Sequence, residues 1–240
     1  MDDNQLEEWK YMMLFYKFAL DGVSTKLKIL NEEFQFIHDY NPIEHIKTRL
    51  KSLASIREKL GRKGHEATIE NAKAYIRDIA GVRVICSFST DIYKIYRAIS
   101  GQSDIRIVEV KDYVTNPKEN GYQSVHMIVE VPVYLTDRTE YTKVEIQIRT
   151  SAMDFWASLE HKIYYKFNSD VPDHIRLQLK ESADLIASLD RRMLQLGEEV
   201  QSYRPDAPAR AEAPLAEAES GEGIERIFAM GGSGEQSVRR

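Results

Sequence analysis

The chain has 240 residues, 42% of them hydrophobic, which is enough for one sizeable core with appendages. No apolar run approaches the about 18 residues that span a bilayer, and the acidic start, Met1-Asp2-Asp3-Asn4, is unlike a secretory signal. The formal net charge of −5 speaks against bulk nucleic-acid binding, and the lone Cys86, in the apolar run 82–88, reads as a packing residue, so a cytoplasmic protein with a local basic site is expected.

Residues 5–38 place Trp9, Met13, Tyr16, Leu20, Val23, Leu27, Leu30, Phe34 and Ile37 at heptad spacing, which predicts a long amphipathic helix, weakened at Gly22 and ended by Asn41-Pro42. The seam serves either packing within the chain or a subunit interface. Residues 45–52 fit a helix or a strand; as a strand they align Lys47, Arg49 and Lys51 on one face, and that is the reading adopted. Ser52 then caps a short helix that carries Ser55 and Lys59 on one side and closes at Gly61, with Arg62 and Lys63 beyond. Such a concentration of cations in an acidic protein suits a polyphosphate. A helix over 68–77 buries Ile69, Ala72 and Ile76. Asp78 stands at its junction with an apolar strand that begins after Gly81, and Arg83, the one charge inside that strand, requires a partner. Asp91 opens another short helix, and 106–110 is a further strand.

The polar stretch 111–124 is a loop with turn residues at Pro117 and Asn120-Gly121. Tyr122 beside Lys118 suits a nucleobase next to its phosphates. A strand over 125–131, Pro132 and a hairpin at 136–141 lead to 144–150, Val-Glu-Ile-Gln-Ile-Arg-Thr, which alternates strictly. Val144, Ile146 and Ile148 are expected to face the core, with Glu145, Gln147 and Arg149 on the opposite face. A helix over 151–167 carries Asp154 in its first turn and Trp156, Leu159 and Ile163 on its buried side. A second long helix, 173–202, repeats heptad spacing at Leu179, Ile186, Leu189, Met193, Leu196 and Val200 and is expected to pack on the first. The composition from 203 onward reads as disordered. The expected organisation is a helix (1–40), a core (41–170), a second helix (171–202) and a tail (203–240).

Asp78 and Glu145 near strand ends, cations from Arg49 to Lys63, and an aromatic loop point to one chemistry. Two carboxylates completed by phosphate oxygens make a Mg²⁺ site, and cations positioning a polyphosphate are what phosphoryl-type transfer requires of a protein.

Arg49-x-Lys51 with Ser55 and Lys59, Asp78-Ile-Ala-Gly-x-Arg83, Lys118-x-Asn120-Gly121-Tyr122-x-Ser124-x-His126 and Glu145-Ile-Gln147-Ile-Arg149-Thr150 resemble, in order and spacing, the synthetase domain of the RelA/SpoT family over roughly 40–170. With one long helix on each side, the chain looks like a small alarmone synthetase. The resemblance implies a nucleotidyltransferase-like α/β (α+β) fold, a mixed sheet flanked by helices, and transfer of the β,γ-pyrophosphate of ATP to the ribose 3′-OH of GDP or GTP. It implies that Arg49 and Arg83 sandwich adenine, and that Lys51, Ser55, Lys59 and Arg62 hold the ATP phosphates. Asp78 and Glu145 would bind Mg²⁺, with Glu145 also the base at the 3′-OH. Tyr122 would stack on guanine, Lys111, Lys118 and His126 would meet the acceptor's phosphates and ribose, and Gln147 and Arg149 would support that half. A homotetramer is also implied.

Two positions depart from the family pattern. Asp154 stands where many relatives carry Asn or His, and its carboxylate can accept from guanine N1–H and the 2-amino group. Glu109 replaces a basic residue of the longer enzymes. His38-Asp39 is the dipeptide of metal-dependent hydrolases but lacks their context, so hydrolysis is not expected. The competing readings are a module gripping single-stranded RNA and a nucleotidyltransferase that releases pyrophosphate in place of AMP.

Overall fold

A computed structural model describes residues 3–38, 40–166 and 171–203. The elements run α1 (Asp3–Phe36), β1 (Ile43–Leu50), α2 (Leu53–Arg62), α3 (Ile69–Tyr75), β2 (Ala80–Cys86), α4 (Ser89–Ser100), β3 (Arg106–Asp112), β4 (Val125–Tyr134), β5 (Thr139–Thr150), α5 (Ser151–Lys166) and α6 (Asp173–Ser202). The strands form one mixed sheet in the order β1-β2-β5-β4-β3, with β2 and β5 parallel and every other pair antiparallel. This is the mixed α/β architecture that the sequence predicts. Residues Met1–Gly197 form one compact unit, and Glu198–Arg240 a second, of which 198–203 are described.

Alternation along β5 explains the core. Val144, Ile146 and Ile148 are fully buried, and Val82, Val84, Met127 and Val129 join them on the same face. α1 and α4 cover that face with Trp9, Met12, Tyr16, Val23 and Leu27 from one and Ile92, Ile95 and Ile99 from the other. Each such side chain stabilises the fold by roughly 1.5–3 kcal/mol. Pro132 is tolerated inside β4 because β3 pairs β4 only as far as Glu130; at Pro132 the strand has a single neighbour, β5, where its partner is Tyr141. Cys86 is buried in this core, and burial pushes its thiol pKa up, in keeping with a packing role.

Local expectations are corrected at four places. Met12, not Met13, is the fully buried residue of the first turns of α1, and Ile37, beyond the helix end, is exposed. α2 is capped by the Ser52 hydroxyl, which accepts from Ser55 N, but it runs through Gly61; the left-handed residue after it is Gly64, at φ +75°. In α5 the buried residues are Met153, Trp156 and Ala157, at helical spacing, while Leu159 falls outside that stripe and is exposed. Finally, the buried apolar residues of α6, Leu179 and Ala183, cluster with Trp156 and Ala157 of α5 and not with α1, whose apolar face is already spent on the sheet. Past that cluster the heptad stripe meets solvent, and Leu189, Met193 and Leu196 are exposed. Among the described residues no helix is long and apolar enough to cross a membrane. The low-complexity stretch 204–240 and Asp39 lie outside the described residues.

α6 is fixed to the end of β5 by a buried polar contact. The Thr150 hydroxyl accepts from Met153 N, capping α5, and donates to Asp190 Oδ2 at 2.9 Å. Burial raises the Asp190 carboxyl pKa against the opposing Thr150 hydrogen bond and Arg191 charge. A carboxyl whose pKa is raised by folding favours the fold while protonated, and that contribution is lost as pH rises through the folded pKa. Asp190→Asn keeps an acceptor for Thr150. Its thermal midpoint is expected to exceed the wild type's at neutral pH, with the difference closing as pH approaches about 4, the unfolded value. Parallel pH series of unfolding curves check this.

Candidate active site

Register sets the face of the sheet opposite the core. Lys47, Arg83, Gln147, His126 and Lys111 stand level across all five strands, and Arg49, Gly81, Glu145, Ile128 and Glu109 form the next row. Paired residues share a face, so the period-two cations of β1 and the acid and amide of β5 come to one surface. Gly81 leaves the floor between Arg49 and Glu145 bare. A cavity of about 380 Å³ opens here. Lys59, Asp78, Lys111, His126 and Glu145 line it, together with Lys63, Tyr75, Arg77, Glu109 and Tyr113.

Asp78, in the turn before β2, is gripped by two cations: Lys51 Nζ lies 2.8 Å from Oδ2 and Lys59 Nζ 2.8 Å from Oδ1. Burial alone would raise this carboxyl pKa, but the hydrogen bonds and charges of the two lysines together outweigh it and hold it below the usual carboxylate range. Lys51 is itself only 8% exposed, so each partner depends on the other for neutralisation. Glu145 has the opposite balance. Burial, then the charge of Asp78, pushes its carboxyl pKa up, against the Gln147 hydrogen bond and the more remote Lys59 and Lys51.

Gln147 donates to Glu145 Oε2 at 2.9 Å and accepts from Arg149, and His126 Nδ1 lies 3.7 Å from Glu145 Oε1. Burial, then the positive charges of Arg149, Lys118, Lys111 and Arg83, pulls the His126 pKa down to about 4, leaving a neutral imidazole at physiological pH. Arg149 shares the face of Glu145 and Gln147 as expected, but it is not open to solvent. It is 2% exposed, it reaches the Tyr122 hydroxyl at 3.2 Å, and its Nε has no partner. Among the described residues that Nε is a buried donor without a hydrogen-bond acceptor. Asp154 projects from the first turn of α5 and receives Arg83 at 2.9 Å, with Arg149 at 3.6 Å. The partner that Arg83 requires is therefore Asp154.

The loop before β4 presents its aromatic group by a tight turn. Asn120 Oδ1 accepts from Tyr122 N, Lys118 N donates to Tyr122 O, and Gly121 between them has φ +86°. Asn120 is held in turn by Glu160 of α5. A Cβ on Gly121 would lie 2.4 Å from the Ala183 Cβ, so α6 seats directly on this turn. Lys118 Nζ lies 4.9 Å from the Tyr122 ring centroid and 4.8 Å from that of Tyr113. Tyr113 meets both Tyr122 and His126 edge-on. Tyr113 is a site residue that the motifs do not single out, although it continues the alternation Glu109, Lys111, Tyr113 on the cavity side.

Three residues remain at the margin. Arg49 is exposed, level with Glu145 across Gly81; Ser55 holds the Ser52 hydroxyl; Arg62 turns to solvent beside Glu58 at 3.8 Å. Lys111 is half neutralised by Glu109, which also pairs with Arg77. The donor set suits Mg²⁺. Two carboxylates act on one cavity, close enough for Asp78 to disfavour ionisation of Glu145, and a divalent cation relieves that repulsion. Among the described residues no group of three or more His, Cys, Asp or Glu side chains is placed to hold a metal ion.

Comparison with known proteins agrees with this geometry. Residues 48–170 match the region found in RelA and SpoT proteins. The chain is 55% identical over 202 residues to the GTP pyrophosphokinase YwaC of Bacillus subtilis (strain 168), covering 83% of this chain and 96% of that protein. Among solved structures, small alarmone synthetase 2 from Bacillus subtilis superposes with a TM-score of 0.73 at 54% identity, over 80% of this chain and 99% of that one. Small alarmone synthetase 1 from the same organism, bound to its product pppGpp, superposes with a TM-score of 0.76 at 33% identity, over 81% and 99%. With the sheet register, the paired carboxylates and these matches in agreement, the chain belongs to the RelA/SpoT family, in its small alarmone synthetase branch.

Proposed function

We propose that this chain is a GTP pyrophosphokinase that transfers the β,γ-pyrophosphate of ATP to the ribose 3′-OH of GDP or GTP, giving (p)ppGpp and AMP. The observation that carries the reading is the pair Asp78 and Glu145 on one cavity, lined also by Lys59, Lys63, Lys111 and the ring of Tyr113. The 3′ oxygen bonds to the β phosphorus as the bond from that phosphorus to the α-phosphate oxygen breaks, and AMP leaves. Glu145 takes the hydroxyl proton. Asp78 and Glu145 would hold Mg²⁺, which would supply charge neutralisation for the polyphosphate.

On this reading Lys51 and Lys59, paired with Asp78 in the chain alone, turn toward the ATP phosphates, with Ser55 and Arg62 at the outer end. Arg49 and Arg83 flank the adenine. Tyr122 stacks on guanine, and Lys111, Lys118 and His126 meet the acceptor. Arg149 and Gln147 brace Glu145. Asp154 reads guanine only by sharing its carboxylate with Arg83, which ties the two nucleotide sites together. The segments 1–40, 41–170, 171–202 and 203–240 correspond to an N-terminal helix, the synthetase core, a C-terminal helix and a tail. The protein acts in the cytoplasm as a homotetramer.

Incubation of the purified chain with Mg²⁺, labelled ATP and either GDP or GTP is expected to release AMP and a 3′-pyrophosphorylated guanosine nucleotide, separated by chromatography. Release of free pyrophosphate would point to another nucleotidyltransferase, and salt-sensitive RNA binding without ATP turnover to an RNA module.

A further inference from the structure

Arg149, Gln147, Tyr122 and His126 form a chain of polar contacts that begins and ends at the Glu145 carboxylate. An arginine carries donors only. Arg149 therefore donates both to Gln147 Oε1 and to the Tyr122 hydroxyl oxygen. With its carbonyl oxygen engaged, Gln147 turns its amide nitrogen to Glu145 Oε2. The Tyr122 hydroxyl lies 2.7 Å from His126 Nε2, and the other ring nitrogen decides the direction of that bond: a bare Nδ1 would set its lone pair against the Glu145 carboxylate, so the proton belongs on Nδ1 and Tyr122 donates to Nε2. A neutral imidazole that accepts at Nε2 carries its proton on Nδ1. Nδ1 faces Glu145 Oε1 at 3.7 Å, one small rotation from a hydrogen bond. Both carboxylate oxygens thus look at an N–H, the Gln147 amide being oriented by the buried Arg149 and the His126 ring by Tyr122. Tyr113, edge-on to both Tyr122 and His126, fixes the ring planes that make this possible.

We propose that the hydroxyl of Tyr122, held by Arg149, is a positioning group for Glu145: it locks His126 in the Nδ1–H tautomer and aims that donor at the carboxylate. This role is separate from anything the aromatic face of Tyr122 touches. It rests on the preceding reading in taking Glu145 as the group at the reacting hydroxyl. A carboxylate held by a donor at each oxygen cannot swing away, which is how supporting contacts preserve reactive geometry.

The test is ¹⁵N–¹H NMR of the full-length chain labelled at histidine, without nucleotides, the His126 signals being identified by their loss in His126→Gln. In the wild type Nδ1 is expected to be protonated and Nε2 bare. Tyr122→Phe keeps the aromatic face and removes the hydroxyl, and in it the His126 signals are expected to move to the Nε2–H form or a mixture. In the same variant kcat is expected to fall about three- to tenfold, the worth of one hydrogen bond, while KM for the guanine nucleotide stays within about twofold. An Nε2–H tautomer in the wild type, an unchanged tautomer in Tyr122→Phe, or a raised KM with kcat intact would overturn the proposal. Because the tautomer is read without substrate, an Nδ1–H wild type that transfers no pyrophosphate would support these contacts and count against the reaction instead.

Discussion

Glu145→Gln is expected to fold as the wild type does and to make almost no product, with kcat lower by ~10²–10⁴, the usual contribution of a positioned general base. The two halves of that outcome have one cause. Burial and the charge of Asp78 already make the ionised Glu145 costly in the fold, so a neutral isostere removes a strain together with the base. Its thermal midpoint should equal or exceed the wild type's at neutral pH. The new amide still offers an oxygen to the Gln147 nitrogen. Asp78→Asn should also lose transfer but with the opposite effect on stability, because Lys51, 8% exposed, is left without an anionic partner. Product chromatography and unfolding curves on the two variants separate a carboxylate that the fold needs from one that only the reaction needs. Retention of the wild-type rate in Glu145→Gln would remove it from the chemistry.

The second large effect is expected at Gly121. Alanine there must adopt φ +86° and place its Cβ 2.4 Å from that of Ala183, a distance that no packing tolerates without movement. The left-handed backbone costs roughly 1–2 kcal/mol and the overpacking roughly 1–3 kcal/mol more. The turn is closed by Gly121 N to Lys118 O and by Lys118 N to Tyr122 O, so it moves as a unit and carries Tyr122 and Lys118 with it. Gly121→Ala is expected to raise KM for the guanine nucleotide about tenfold or more while leaving affinity for a non-hydrolysable ATP analogue near the wild-type value. Ala183→Gly in the same chain removes the clash but not the backbone strain, and should recover part of the loss. Equal damage to both nucleotides would show that the turn does not belong to the acceptor half alone.

Much of this site is legible in one dimension because strands translate sequence into surface by a fixed rule. Once β5 alternates, Glu145, Gln147 and Arg149 share a face, and the same rule puts Lys47 and Arg49 together on β1, although the strand ends at Leu50 and Lys51, expected to continue it, lies past its end and turns to Asp78. What sequence does not disclose is who answers whom across the fold. Arg83 visibly needs a partner, but nothing local says that it is Asp154, and the grip of Lys51 and Lys59 on Asp78 joins three elements. Arg149 looks like a solvent-facing strand residue until Tyr122 and Asp154 converge on it. The heptads of α6 announce an amphipathic helix without naming its partner, and the natural guess, α1, is wrong because α1 is spent on the sheet.

The stretch that matches the family ends at residue 170, yet three contacts that hold the 118–122 turn and α5 come from beyond it: Ala183 beneath Gly121, the Leu179 carbonyl receiving the Trp156 indole, and Asp190 beneath Thr150. The portable unit of this fold is therefore longer than its signature. A chimera that takes residues 48–170 from this chain and its last helix from a distant relative would inherit the carboxylates and the lysines in order, but its 118–122 turn would rest on a foreign helix. Exchange of parts between relatives should succeed only when the turn at 118–122 and the surface of α6 at 179–190 travel together, as a lock and its strike plate must.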